Sequence, residues 1–386
     1  MTPPGNRPIE KRLGMTGYPA DRASAILEID LAGIAANWRF LANKVQPRKC
    51  AAVVKGDAYG LGVKKVASAL AMAGCRRFFV ATIEEGITLR GALPDQSEIA
   101  VLNGLLPGCA EDFTEHRLIP VLNDPGQIAE WRSAVAQRDG GPAMLHYDTG
   151  MARLGLTARE FDDVADDLRK PDPIRWRGLV SHLACSDAPE HPLNEIQLDR
   201  FTAARRRVPH LDASIAASSG LFLGPEYHFD FVRPGAALYG VNPQPGRPNP
   251  MRQVVRLKGR ILQVRDVDGG QSVGYGATYV TAGPGRLATV AVGYADGWLR
   301  SLNCRGSGRI DDRTVPLLGR VSMDLIVFDV SDADPALARA GLFVDLLDEG
   351  YGVDAVAADA GTIGYEILTA LGRRYHRTYR GVPDLC

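Results

Sequence analysis

The chain has 386 residues, more than one ordinary hydrophobic core accommodates, and this length favours two domains. Lys+Arg and Asp+Glu both number 45, so the formal net charge is zero and no basic stripe argues for nucleic-acid binding. Hydrophobic residues make up 45% and charged residues 23%, as in a globular enzyme, and the apolar runs are too short to span a membrane.

The N-terminus and the cysteines indicate a cytoplasmic protein. Residues 1–22 lack the apolar core of a secretory signal and are predicted to form a loose, disordered extension. The six cysteines form no Cys-x-x-Cys pair and have no histidine at metal-ligand spacing, which indicates reduced thiols and no structural metal. Cys185 lies close to His182 in sequence, but a small buried thiol is favoured there over a nucleophile.

From about residue 25 to 250, short apolar runs alternate with stretches of helical spacing. The runs predicted to be strands are 26–30, 50–54, 78–81, 99–102, 119–122, 144–147, 178–182 and 213–217. Eight strands separated by helices predict an α/β fold, with a (β/α)8 TIM-like barrel over residues 23–250. A doubly wound open sheet is the alternative, although no Gly-x-Gly-x-x-Gly motif follows the first strand.

The sequence pattern changes after the Pro- and Gly-rich segment 242–250, from alternating strands and helices to mostly strands. Strands are predicted at 255–267, 272–275, 286–292, 313–318, 325–330 and 342–347, with one late helix at about 353–371. Residues 251–386 are therefore predicted to form a C-terminal, mainly-β domain.

The segment Ala52-Val-Val-Lys-Gly-Asp-Ala-Tyr-Gly60 places Lys55 at a predicted strand end, before a Gly-rich loop. Such a lysine is suited to form a Schiff base with an aldehyde cofactor, and Tyr59 and backbone N–H groups are suited to hold the cofactor's phosphate. The alternative is a surface lysine that begins a polar loop. Other chemically competent segments also follow predicted barrel strands, where barrel enzymes place their chemistry: 148–155, His182, 218–219 and 229–240.

Taken together, these segments resemble the alanine racemases, fold-type III enzymes that use pyridoxal 5′-phosphate (PLP). The second domain carries the matching motifs VGYGATY (273–279), GYADG (293–297), GRVSMD (319–324) and GTIGYE (361–366). The resemblance runs from about residue 23 to 379. It implies an isomerase that interconverts L- and D-alanine, works as a homodimer with shared active sites, and supplies D-alanine as a peptidoglycan precursor, although a catabolic role stays open.

The resemblance also implies roles for individual residues. Lys55 would carry PLP and act as the base on the D-face of the substrate, and Tyr275 of the other subunit would act on the L-face. Because a tyrosine pKa is about 10, this base needs a cationic or hydrogen-bonding environment. His182 would lie between Tyr275 and Arg233, whose guanidinium would face the pyridine nitrogen of PLP. Without the resemblance, Tyr275 would be interpreted as a half-buried tyrosine of a strand.

Other residues would bind cofactor and substrate. The implied phosphate ligands are Tyr59, Ser219, the backbone N–H groups of Gly235 and Ala236, and Tyr365. Arg153 would contact the cofactor and, with the N–H of Met323, the substrate carboxylate. Asp296 is interpreted as structural or channel-lining.

The chain departs from the family pattern at several positions. Many relatives carry a carbamylated lysine where this chain has His146, so Arg153 must be oriented differently here. The other departures are Leu61 for histidine, Ser218-Ser219 for Asn-Ser and Ser322-Met323-Asp324 for Cys-Met-Asp. They leave open the breadth of substrates.

Two other functions are weighed against a racemase. A PLP decarboxylase of basic amino acids would place an acidic residue, not Arg233, at the pyridine nitrogen. A non-catalytic PLP carrier built on a single barrel would have no need of the second domain with Tyr275 and Met323.

Overall fold

The computed structural model describes residues 19–168 and 170–381, so most of the predicted extension 1–22 lies outside the described residues. The chain divides into two compact units: residues 32–252 form one, and residues 19–31 together with 253–381 form the other. The first strand, β1 (Ala25–Asp30), belongs to the second unit. No helix in the described part of the chain is long and apolar enough to cross a membrane.

The unit 32–252 is built on short parallel strands. In chain order they are β2 (Lys49–Cys50), β3 (Ala52–Val53), β4 (Arg77–Val80), β5 (Glu98–Val101), β6 (Ile119–Leu122), β7 (Gly141–His146), β8 (Ile174–Val180), β9 (Ala213–Ser214) and β10 (Phe231–Val232). Strands β3 to β9 form a parallel sheet in sequence order, and β10 pairs in parallel with β2.

Backbone hydrogen bonds on both sides of β10 close this sheet into a barrel. On one side, the N–H of Ala51 donates to the carbonyl of Val232 at 2.9 Å. On the other, the N–H groups of Asp230 and Arg233 donate to the carbonyls of Ala213 and Ala216, each at 3.0 Å. The prediction of a (β/α)8 barrel is therefore confirmed.

The helices of this unit alternate with the strands, and capping residues mark their starts. They are α1 (Leu31–Lys44), α2 (Lys55–Tyr59), α3 (Val63–Ala73), α4 (Ile83–Arg90), α5 (Ala110–Glu115), α6 (Pro125–Ala136), α7 (Ala158–Asp167) and α8 (Leu193–Arg207). Thr82 and Thr157 each form a capping box at the start of a helix. Apolar side chains from successive strands fill the barrel interior, among them Phe79, Ala100, Val121, Met144 and Val180.

The second unit is mainly β. Its strands are β1, β11 (Val255–Val267), β12 (Ser272–Val273), β13 (Tyr279–Val280), β14 (Gly285–Val290), β15 (Ser307–Ile310), β16 (Arg313–Leu318), β17 (Ile326–Asp329), β18 (Phe343–Leu347) and β19 (His376–Arg380). Eight of them form one sheet in the order β14-β17-β16-β15-β18-β11-β1-β19, and β14 also pairs with β11. Two helices, α9 (Val353–Ala360) and α10 (Gly364–Ala370), precede the last strand.

The assignment of 26–30 to the barrel is wrong. This strand pairs antiparallel with β11 and parallel with β19, and the barrel takes β10 as its eighth strand instead. A buried apolar strand looks the same in sequence whichever sheet receives it, and β10 is only two residues long.

Two glycines account for the other main differences from the predicted elements. Gly274, with φ of 70°, ends the strand predicted at 272–275, and Gly361, also at 70°, divides the helix predicted at 353–371. Strands β10, β13, β15 and β19 lie outside all of the predicted strands.

Candidate active site

Lys55 opens a left-handed turn at the carboxyl end of β3. Residues 56–59 all have φ between 53° and 62°, so the single turn of α2 winds opposite to an ordinary helix. Each non-glycine residue in this conformation costs about 1–2 kcal/mol. The Glu85 carboxylate holds the turn, accepting the N–H of Gly56 at 2.5 Å. A backbone constrained in this way presents the Lys55 side chain in a defined direction.

The surroundings of Lys55 favour its neutral amine. Partial burial, and then the positive charge of Arg153, lower the pKa of the Lys55 amine, while the Glu85 carboxylate acts in the opposite direction. A lowered pKa increases the fraction of unprotonated amine near neutrality, which is the nucleophilic form.

Tyr59 and the loop after β10 form a small polar cradle beside this turn. The Tyr59 ring is buried against Tyr239, with 4.8 Å between ring centroids, and its hydroxyl lies against Gly235. The hydroxyl of Ser218 accepts the N–H groups of Gly235 and Ala237, at 3.0 and 3.2 Å. The Gly235 N–H, a predicted phosphate donor, therefore already has an acceptor within the protein.

Ser218, which sequence reasoning did not select, shapes this loop. The predicted ligand Ser219 is only partly buried and begins a 3-10 helix, Ser219–Phe222. The two serines are adjacent and both follow β9, so sequence alone does not tell which hydroxyl holds the loop. The phosphate roles of Tyr59, Ser219, Gly235, Ala236 and Tyr365 stay predictions.

Arg233 is a buried cation bonded to neutral acceptors. One terminal nitrogen donates to the carbonyl and hydroxyl oxygens of Ser214, at 2.8 and 2.6 Å, and the other donates to the carbonyl of Ser181 at 2.5 Å. Burial lowers the pKa of Arg233 to about 10, so the group stays protonated near neutrality. The two serines follow or end neighbouring barrel strands, and their carbonyls fix the guanidinium at the carboxyl edge.

His182 directly follows Ser181 at the end of β8 and is neutral. Burial first, and then the charges of Arg233, Arg153 and Lys55, lower the pKa of His182 to about 3. In a neutral imidazole one ring nitrogen donates a hydrogen bond and the other accepts one. His182 is therefore suited to bond two polar groups at the same time.

His146 is bonded to Asn123, a residue that sequence reasoning missed. Its Nδ1 lies 2.7 Å from the Asn123 Oδ1, and the Asn123 amide nitrogen donates to the carbonyls of Leu102 and Val121. The Nδ1 must therefore carry the proton, which leaves Nε2 as an acceptor. Burial first, and then the charge of Arg233, lower the pKa of His146 to about 4. Asn123 directly follows β6. The criterion that singled out Lys55, a polar residue at the carboxyl end of a barrel strand, therefore singles out Asn123 as well.

The loop that carries Arg153 is organised by Asp148. Its carboxylate accepts the N–H groups of Gly150, Met151 and Ala152 at 2.8–2.9 Å. Arg153 itself is exposed to solvent. The loop is thus ordered at its base, while the guanidinium is available to a ligand.

The second unit carries Tyr275, Met323 and Tyr365. Tyr275 lies in a 3-10 turn, Tyr275–Ala277, and 73% of its surface is exposed, so it is not the half-buried strand residue of the alternative interpretation. The Arg320 guanidinium packs against Gly276 in the same turn. Met323 and Tyr365 are also exposed.

Comparison with known proteins identifies the family. The profile of the alanine racemase N-terminal domain matches residues 29–243, and that of the C-terminal domain matches residues 254–379. The chain belongs to the alanine racemase family. The resemblance inferred from the sequence is therefore confirmed.

Individual family members match nearly the whole chain. Alanine racemase of Rhodospirillum rubrum is 51% identical, covering 94% of this chain and 98% of its own. The catabolic alanine racemase of Mesorhizobium japonicum is 47% identical, covering 95% and 97%. The crystal structure of alanine racemase from Bartonella henselae, with covalently bound pyridoxal phosphate, superposes with a TM-score of 0.88 at 40% identity and covers 93% of this chain and 100% of its own.

Proposed function

We propose that this protein is a PLP-dependent alanine racemase that interconverts L- and D-alanine. The observation that carries the proposal is Lys55, with its lowered pKa, on a left-handed turn beside the Tyr59–Gly235 cradle, in a chain of the alanine racemase family.

The residues of the barrel unit fit PLP. Lys55 would bind its aldehyde carbon, and the Tyr59 hydroxyl and the loop at Gly235 and Ala236 would hold its phosphate, close enough that a side chain at Gly235 would meet Tyr59. Arg233 would donate a hydrogen bond to the pyridine nitrogen but no proton, because arginine stays protonated. When bound, PLP supplies an electron-withdrawing ring that acidifies the α-hydrogen of an amino acid.

The proton transfers are assigned to two bases on opposite faces of the substrate. Lys55 would serve the D-face, and Tyr275 of the partner subunit would serve the L-face. The exposed position of Tyr275 supports this role, since a base that acts on another subunit must project from its own. Neutral His182 would donate a hydrogen bond to the Tyr275 phenolate and so stabilise it.

A homodimer accounts for the apolar surface around Tyr275. A groove of about 580 Å³ beside it is lined in part by Val273, Leu325 and Val327, and Met323 is exposed near Leu325 in sequence. Apolar surface of this kind is typical of a subunit interface. A second copy of the chain would cover it and bring Tyr275 to a barrel.

The substrate is a small amino acid. Arg153 and the Met323 N–H would bind its carboxylate, and Tyr275, Met323 and Tyr365 would crowd its side chain.

The free thiols of the described cysteines, Cys50, Cys75, Cys109, Cys185 and Cys304, support a cytoplasmic location.

The test is a racemisation assay with a panel of amino acids on the PLP-loaded protein. We expect alanine to exceed serine, and both to exceed leucine and lysine, with about 10- to 200-fold discrimination for each added methylene. Borohydride reduction and peptide mapping should place the pyridoxyl group on Lys55, and Lys55→Ala should lose racemisation while the control Lys64→Ala keeps it. Release of CO2 from lysine would point to a decarboxylase, and PLP binding without turnover would point to a carrier.

A further inference from the structure

Arg374 joins two carboxylates in the second unit. Its Nε and one terminal nitrogen donate to the two carboxylate oxygens of Asp296, at 2.6 and 2.7 Å, and its other terminal nitrogen donates to Asp324 at 2.7 Å. The Asp296 side chain is buried, with 6% exposed, whereas that of Asp324 is 56% exposed. Asp324 directly follows Met323, whose N–H is proposed to bind the substrate carboxylate.

Asp296 also organises the backbone that packs against Met323. Its carboxylate accepts the N–H of Gly293 at 2.9 Å. The next two N–H groups, of Tyr294 and Ala295, donate to the carbonyls of Ser322 and Met323, each at 3.0 Å. A Cβ atom on Gly293 would lie 2.3 Å from the Met323 carbonyl oxygen, so the two segments are in close contact.

This packing sets the direction of the Met323 N–H. The carbonyl of Ser322 and the N–H of Met323 belong to one peptide group, and in a trans peptide they point to opposite sides. Because the Ser322 carbonyl faces the N–H of Tyr294, the Met323 N–H points away from segment 293–296. Arg374 holds this arrangement from both ends, through Asp296 on one segment and Asp324 on the other.

We propose that Arg374 is a positioning residue for substrate binding, which holds the Met323 N–H in the direction of the amino-acid carboxylate through Asp296 and Asp324. The inference rests on the proposed function, and specifically on the proposed role of the Met323 N–H. A stabilising role alone does not explain the outer half of the network, because exposed ion pairs such as Arg374–Asp324 contribute little to folding stability. The Arg374–Asp324 pair matters for substrate binding. The hydrogen bond from the Met323 N–H to the carboxylate weakens steeply when the N–H points in another direction.

The experiment compares Arg374→Met, Arg374→Lys and Asp324→Asn with wild type and with the adjacent, exposed control Arg373→Met, all loaded with PLP. The measurements are KM and kcat for both alanine enantiomers, the inhibition constant of acetate as a carboxylate probe, and the melting temperature. We expect Arg374→Met and Asp324→Asn to raise KM and the acetate constant about five- to tenfold, with kcat changed less than about twofold. Arg374→Lys should recover part of the loss, and Arg373→Met should match wild type.

The double variant Arg374→Met/Asp324→Asn should have the same KM and acetate constant as Arg374→Met alone, because both changes break the same hydrogen-bond network. Asp324 is exposed, so Asp324→Asn remains a test if Arg374→Met does not fold. Unchanged KM and acetate constants in Asp324→Asn, or effects confined to melting temperature, would overturn the inference. A wild-type protein that does not racemise alanine would instead overturn the proposed function.

Discussion

A Cβ atom added to Gly235 would lie 2.5 Å from the Tyr59 hydroxyl oxygen. Tyr59 cannot easily retreat, because its ring is buried against Tyr239 and its backbone is in the left-handed turn. The space that a phosphate oxygen would share with this hydroxyl therefore depends on the absence of a side chain at residue 235.

Gly235→Ala should weaken PLP binding about tenfold or more, since overpacking at a rigid site typically costs 1–3 kcal/mol. PLP titration of the apoprotein, followed by absorbance, measures this effect. Gly283→Ala is the matched control, because a Cβ atom there meets nothing within 4 Å. Equal PLP affinities for the two variants would show that the cradle does not hold the phosphate.

We predict that the His146–Asn123 pair makes the site independent of carbon dioxide. A histidine cannot form a stable lysine carbamate, and His146 already presents a neutral acceptor at Nε2. Activity should be the same with and without added bicarbonate, and intact mass should show no labile adduct of about 44 Da. A bicarbonate requirement would mean that a lysine elsewhere supplies the carbamate.

Acid should destabilise the protein through His146 and His182. Their folded pKa values of about 4 and about 3 lie below the unfolded value of about 6.5. The unfolded state therefore takes up protons first, so this stability is present above about pH 6.5 and is lost as the pH falls toward the folded values.

His146→Gln should reduce the loss of unfolding free energy between pH 6.5 and 5 by roughly 1–2 kcal/mol. Urea unfolding at several pH values measures the slope, with the exposed His210→Gln as control. Parallel slopes for wild type and His146→Gln would contradict the assignment of a depressed pKa to this ring.

Lys55 and Tyr275 should complement each other across subunits. Tyr275→Phe should keep PLP and exchange the α-hydrogen of D-alanine with solvent, yet fail to abstract the hydrogen of L-alanine, because only the Lys55 base remains. Mixing it with Lys55→Ala under conditions of subunit exchange should restore about a quarter of wild-type activity, since half of the dimers have one complete site. Heterodimers that form without regaining activity would assign Tyr275 to the barrel of its own chain.

Local pattern was sufficient to predict the parts of this protein whose cause is local. The apolar runs predicted β11 and β16 with the bounds that the structure has, and the strand-end position singled out Lys55. The alternation of strands and helices predicted the barrel, because crossover helices between parallel strands leave that periodicity in any sequence.

Only the tertiary structure decided which distant segments meet. The partners of β1 lie more than 200 residues away, and neighbouring residues place no constraint on that choice. The same holds for the Asn123–His146 bond and for Arg374 with its two carboxylates, 23 to 78 residues apart. Side-chain partners of this kind depend on how strands and loops are arranged in space. The same arrangement decides between the adjacent Ser218 and Ser219: it is the hydroxyl of Ser218 that accepts the N–H groups of the loop after β10.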